Sequence, residues 1–181
     1  MKGGCLLRHD DLVALWGSDC VYRLVAEAVK DLPIPEEAKE VLTDVGLPRE
    51  LEWIAFSGDT GVDSPLPTVM SLQGRPAELC RFGSAYDDLW CIELSVGAVL
   101  VISEGDPARD RFVNSGLPCF AEFLYEYQRY VNAPQGSSAE ERWRVRRLQG
   151  RLSAIDPAAL ADPKSEWSLM LDDLRWEVGL K

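Results

Sequence analysis

The spacing of apolar positions changes twice along the chain, from helical to alternating and back to helical. In the opening DDLVALWGSD, Leu12, Leu15 and Trp16 fall on one face of a short helix. Asp10 or Asp11 is placed to cap it, and Gly17 to end it. Residues 20–26, CVYRLVA, are rich in β-branched and aromatic side chains and read as a strand, while the following EAVKDL carries helical spacing. Pro33 and Pro35 then punctuate. Pro35 suits the first position of a helix through EEAKEVLTDVG, whose leading acids complement the dipole. Ala38, Val41, Leu42 and Val45 are its apolar stripe, and Gly46 stops it.

From residue 53 the period shortens. WIAF (53–56), PTVMSL (67–72), ELCRFG (78–83), DLWCIEL (88–94), AVLVIS (98–103) and RFVN (111–114) are short β-prone runs separated by turn-rich stretches. The three-residue link Ser95-Val96-Gly97 predicts an antiparallel hairpin between the fourth and fifth of these. No helix-length segment separates the strands, which argues against a parallel sheet. Beyond Asn114 the helical period returns. Leu117, Phe120, Leu124, Tyr127 and Val131 form one stripe, with Asn114 and Ser115 as candidate caps and Glu122, Glu126 and Arg129 on the other face. NAPQGSS is a linker, followed by helices over about 139–154 and 165–178. Central strands with helices at both ends predict an α+β domain with a central, largely antiparallel sheet flanked by N- and C-terminal helices.

Length and charge sharpen this picture. A chain of 181 residues fits a single domain over 1–181. Nineteen basic and thirty acidic residues leave a net charge of −11. A phosphate backbone and an anionic membrane would both repel such a surface, whereas a basic partner would be drawn to it. Direct nucleic-acid binding and membrane binding are therefore not expected. Five scattered cysteines without a C-x-x-C spacing fit buried free thiols in a reducing compartment. The first residues lack the apolar run of a secretion signal, and no stretch reaches the roughly 20 apolar residues of a membrane span, so the expected location is the cytoplasm.

Machinery for catalysis is sparse. His9 is the single histidine and has no nucleophile motif beside it. Histidine-rich metal sites are excluded by count, and neither phosphate-cradling glycine motif occurs. The pairs Asp10-Asp11, Asp87-Asp88 and Asp172-Asp173 read as caps or solvated turns; neighbours on a strand point to opposite faces. DTGVDSP lacks the acidic spacing of a calcium loop. No catalytic, metal or cofactor-binding residue is expected. One charge run stands apart: Arg142, Arg144, Arg146, Arg147 and Arg151 share one predicted helix. Pairing with the surplus acids of the same chain is the expected use, a nucleic-acid contact the alternative.

Several segments, taken in order, resemble the SUKH superfamily of bacterial immunity proteins, most closely its fourth branch. They are VLTDVGLP (41–48), FGSAYDD leading into DLWCIEL, the hairpin SVGAVLVIS, and RFVNSGLPCFAEFLYEY. The tail from Ile155, DPAALADPKSEWSLMLDDLRWEVGL, is similar to the C-terminal extension of many members. The resemblance implies a fold core over 1–131 with a helical extension over 132–181 packed on it. It also implies a non-enzymatic protein that binds and neutralises a cognate toxin domain, frequently a nuclease or nucleic-acid deaminase. Asn114 matches the family's most recognisable polar position and reads as a cap for the 117–131 helix.

Toxins that attack nucleic acid are often basic, because their substrate is a polyanion. An acidic inhibitor would meet such a toxin rapidly. The candidate contacts are the acids in strand-connecting loops: Asp59, Asp63, Asp87, Asp88, Glu104 and Asp106. The alternative roles are an intracellular regulatory or scaffold protein with a different partner, and a cofactor-free hydrolase, which would need two acids converging in one pocket.

Overall fold

Helices from both ends of the chain flank a sheet built from its middle. The computed structural model describes residues 6–51, 54–55, 67–72, 78–85, 88–103 and 105–180. Helix α1 (His9–Trp16) begins two or three residues earlier than the aspartates suggest. Arg8 occupies the cap position, and its N–H donates to Asp11 Oδ2 at 2.8 Å. Asp11 thus serves from inside the first turn, not from the cap. The 20–26 stretch divides. Strand β1 (Val21–Tyr22) pairs antiparallel with β2 (Leu47–Pro48), and α2 (Ala26–Val29) follows.

Helix α3 (Glu36–Glu40) has Pro35 at its cap rather than in its first turn. It widens into a π turn, Val41–Val45, closed where Gly46 N–H donates to Val41 O at 2.7 Å. Ala38, Val41, Leu42 and Val45 are all buried, as their spacing predicts. Gly46 sits at φ +94°, and a Cβ there would lie 2.8 Å from the carbonyl oxygen of Tyr22. Both the positive φ and the close approach of β1 demand glycine.

The main sheet comprises β3 (Glu50–Leu51), β4 (Ile54–Ala55), β5 (Thr68–Ser71), β6 (Glu78–Ala85), β7 (Asp88–Glu93), β8 (Val99–Ser103) and β9 (Arg111–Asn114). Its order is β3-β4-β6-β7-β8-β9, with β5 also paired to β6, and every described pairing is antiparallel. The β7–β8 link is the expected hairpin: Gly97 N–H donates to Glu93 O at 2.7 Å, and Glu93 N–H to Ala98 O at 2.8 Å.

Alternation sorts the strands' side chains. Cys80, Phe82, Trp90, Ile92, Val99, Val101 and Val113 join the main core with the helices, while Leu79, Leu89, Cys91 and Ile102 form a second buried cluster. Phe120 of α4 (Leu117–Val131) sits among Phe82, Trp90 and Trp167, with ring centroids 5.9, 5.4 and 6.5 Å away. Burying each such side chain contributes about 1.5–3 kcal/mol. The α4 stripe is buried at Leu117, Phe120 and Leu124, but Val131 is exposed; Ala121 and Phe123 take its place in the core. Burial pushes the thiols of Cys80 and Cys119 up to about 11, the charges of Asp156 and Glu122 adding to the effect at Cys119.

Helix α5 (Ser138–Ile155) packs on α4, and α6 (Glu166–Glu177) packs back on β9 through a buried polar junction. Gly116, not Asn114 or Ser115, occupies the cap of α4. Asn114 is instead fully buried. Its Oδ1 accepts from Trp167 Nε1 at 2.9 Å, and its Nδ2 donates to Asp156 Oδ2 at 3.1 Å. Ser115 adds its N–H (2.7 Å) and hydroxyl (2.9 Å) to the same carboxylate. Asp156, 3% exposed, thereby has its charge met by hydrogen bonds, which is what makes burial of a carboxylate tolerable. These bonds fix α6 against β9, and α6 forms one wall of the site described next.

Candidate functional site

The helix-covered face of the sheet opens into a cleft at the start of β7. Trp90, Val101 and Arg111 are directly opposed across β7, β8 and β9, so they share a face; Asp88, two residues before Trp90, joins them. Tyr127 of α4 borders the cleft. Helix α6 completes it with Glu166, Leu169, Met170 and Asp173, spaced to lie along one side of a helix. The space enclosed is about 350 Å³.

Charge in the cleft is organised around Arg111. Its Nε donates to Glu166 Oε2 at 2.7 Å, its Nη2 to Asp88 Oδ2 at 3.4 Å and its Nη1 to the Arg109 carbonyl at 3.3 Å. All three ion-pair side chains are three-quarters or more buried. Asp88 Oδ1 is buried with no hydrogen-bond partner among the described residues. Exposed Asp173 adds a third carboxylate, so acids outnumber the single guanidinium by two. On the same side of α6, Leu169 and Trp176 are 46% and 85% exposed. An aromatic floor, surplus carboxylates and an apolar rim suit a lysine or arginine side chain presented by another protein.

Of the six acids singled out from sequence, two lie among the described residues, and of these the structure brings Asp88 into this cleft. Asp106 is exposed, and its carboxylate accepts from Ala108 N–H at 3.0 Å, capping a short 3-10 turn. Asp59, Asp63, Asp87 and Glu104 lie outside the described residues. Asp88 is not the solvated turn residue its pair suggested, being tied to Arg111. Arg111, Glu166 and Asp173 were missed. They stand apart in the chain, and only the i, i+7 spacing of Glu166 and Asp173 hinted at a shared face.

The arginine run divides as well. Arg144 pairs with Glu141 at 2.6 Å and Arg151 with Glu126, which is the expected pairing within the chain. Arg142, Arg146 and Arg147 make no ion pair among the described residues, so for these three that expectation fails. His9 has a structural role: its Nδ1 lies 2.9 Å from the Val45 carbonyl. Among the described residues no three metal-ligating side chains converge, and no helix is long and apolar enough to cross a membrane.

A family model described as SUKH-4 immunity protein matches residues 7–173. That span covers β1 to β9, α1 to α5, and α6 as far as Asp173. No curated protein and no solved structure matches the chain.

Proposed function

The chain belongs to the SUKH-4 immunity protein family, and from that premise we propose that it neutralises its toxin by receiving a basic surface in the α6-bordered cleft. Membership carries the immunity role and a protein partner. The cleft supplies the chemistry of the contact, and its surplus of carboxylates around Trp90 and Tyr127 is the observation that carries the reading. Asp88 and Asp173 meet the partner's cations, and Glu166 holds Arg111 so that Asp88 stays oriented. Asp59, Asp63, Asp87, Glu104 and Asp106 extend the acidic surface, on the strength of charge and position in the sequence. A toxin that cleaves or deaminates nucleic acid fits this best, since it carries the basic surface its own substrate requires. The chain acts by occupation rather than by chemistry, in the cytoplasm of the producing cell, with 1–131 as the fold core and 132–181 as the extension that builds the cleft's outer wall.

The test is survival of cells expressing the toxin domain encoded beside this gene, with and without this chain, together with gel filtration of the pair. Rescue and a stable complex are expected. Asp173→Lys, at an exposed position that leaves the Arg111 pairs intact, is expected to weaken the complex about tenfold, chiefly through slower association. Full affinity in that variant at low salt would remove the cleft from the interface.

A further inference from the structure

Further round α4 from Tyr127, a groove of about 250 Å³ runs between α4 and α5. Four guanidiniums face it, and they are not equivalent. Arg144 is taken up by the fold: it donates to the carbonyls of Tyr130 (2.6 Å), Ala133 (3.3 Å) and Pro134 (2.8 Å), in and just beyond the last turn of α4. Arg129 and Arg151 share one carboxylate, Glu126. Arg147 stacks 5.1 Å over the ring of Trp143, which is 57% exposed. Apart from Arg144, three cations therefore face one anion, beside Leu148 and Tyr130, on a protein whose net charge is −11.

We propose that this groove docks an acidic segment of a protein partner. A carboxylate of that segment sits among Arg129, Arg147 and Arg151, and an adjacent apolar side chain lies on Trp143. Arginine and tryptophan are the residues that most often dominate binding energy, and guanidiniums already held by a neighbour lose little freedom on engaging a carboxylate. Charge decides between occupants. A long polyanion would meet the repulsion of the rest of the chain, whereas one or two carboxylates need only the local excess. The inference does not depend on the cleft, because the groove shares no lining residue with it and has the opposite sign.

The experiment is a titration of the full chain with a short peptide alternating Glu with Leu and Phe, followed by the indole N–H resonance of Trp143, assigned with Trp143→Phe. Saturable movement of that resonance is expected, weakened by salt and reduced about tenfold or more in affinity by Arg147→Glu, an exposed change that breaks no ion pair. Four results would overturn the proposal. The first is no movement with the acidic peptide. The second is equal movement with a peptide in which Lys replaces Glu. The third is tighter binding of inorganic phosphate or duplex DNA than of the acidic peptide. The fourth is self-association of the chain that Arg147→Glu abolishes, which would make a second copy the occupant.

Discussion

The cleft and the groove, both bordered by α4, are built as electrostatic opposites. In the cleft, one arginine (Arg111) is held between two carboxylates with a third nearby. In the groove, one carboxylate (Glu126) is shared by two arginines with a third nearby. Each central residue holds its neighbours in place without cancelling them, so each site keeps a net charge while its side chains remain ordered. The supports differ. The cleft stands on buried aromatics and on the Asn114–Asp156–Trp167 junction, whereas the groove stands on hydrogen bonds near the surface. Removing a support should therefore cost more on the cleft side than on the groove side.

Trp167→Ala tests the larger half of that statement. Trp167 is fully buried, its ring 5.0 Å from Phe123 and 6.3 Å from Tyr127, and its indole N–H holds Asn114. Truncation removes the packing beneath the cleft and leaves Asn114 Oδ1 without its donor, at a cost of roughly 3–5 kcal/mol. Urea unfolding would measure it. A loss below about 1 kcal/mol would mean that α6 is held by something other than this junction.

Arg144→Ala tests the smaller half. It removes the donors to three carbonyls at the C-terminal end of α4, all near enough to the surface for water to replace them in part. The expected loss is about 1–2 kcal/mol, read by the same unfolding experiment. A loss matching that of Trp167→Ala would erase the contrast between the two supports.

How much of this was legible in the sequence follows from the range of the interactions. The antiparallel sense of the sheet, the β7–β8 hairpin and most of the α4 stripe rest on local period and turn chemistry, and the residues announce them. Asn114 shows where that logic misleads. Asparagine just before a helix ranks among the best caps, so the local rule assigns it one. Its actual partners, Asp156 and Trp167, are 42 and 53 positions away, and no local rule weighs them. The cleft was half-visible for the same reason. Asp88 was chosen for charge and loop position, but its meeting with Glu166 depends on α6 folding back across β9. The arginine run was conspicuous, yet the groove also needs Glu126 and Arg129 from α4, which the sequence shows only as a polar face.

The smallest predicted effect concerns the start of α5, which carries the groove's outer wall. There Ser137 N–H and hydroxyl donate to Glu140 Oε2 at 2.7 and 2.8 Å, and the Glu140 N–H returns to Ser137 Oγ at 3.4 Å. The backbone N–H of Ser137, and then its hydroxyl, favour the charged carboxylate and hold Glu140 below its ordinary 4.5. A carboxyl with a lowered value in the folded chain contributes stability that is fully present above its unfolded value. That contribution fades as pH falls below about 4.5 and through the lowered one. Glutamine keeps the geometry of the capping box but cannot titrate. Glu140→Gln should therefore melt slightly below the parent chain near neutral pH, and the gap should close between about pH 4.5 and 3. Thermal melts of both proteins across that range make the comparison. Parallel curves would mean that the Ser137–Glu140 exchange does not hold the start of α5, and that the groove's geometry rests on Arg144 and Arg151 alone.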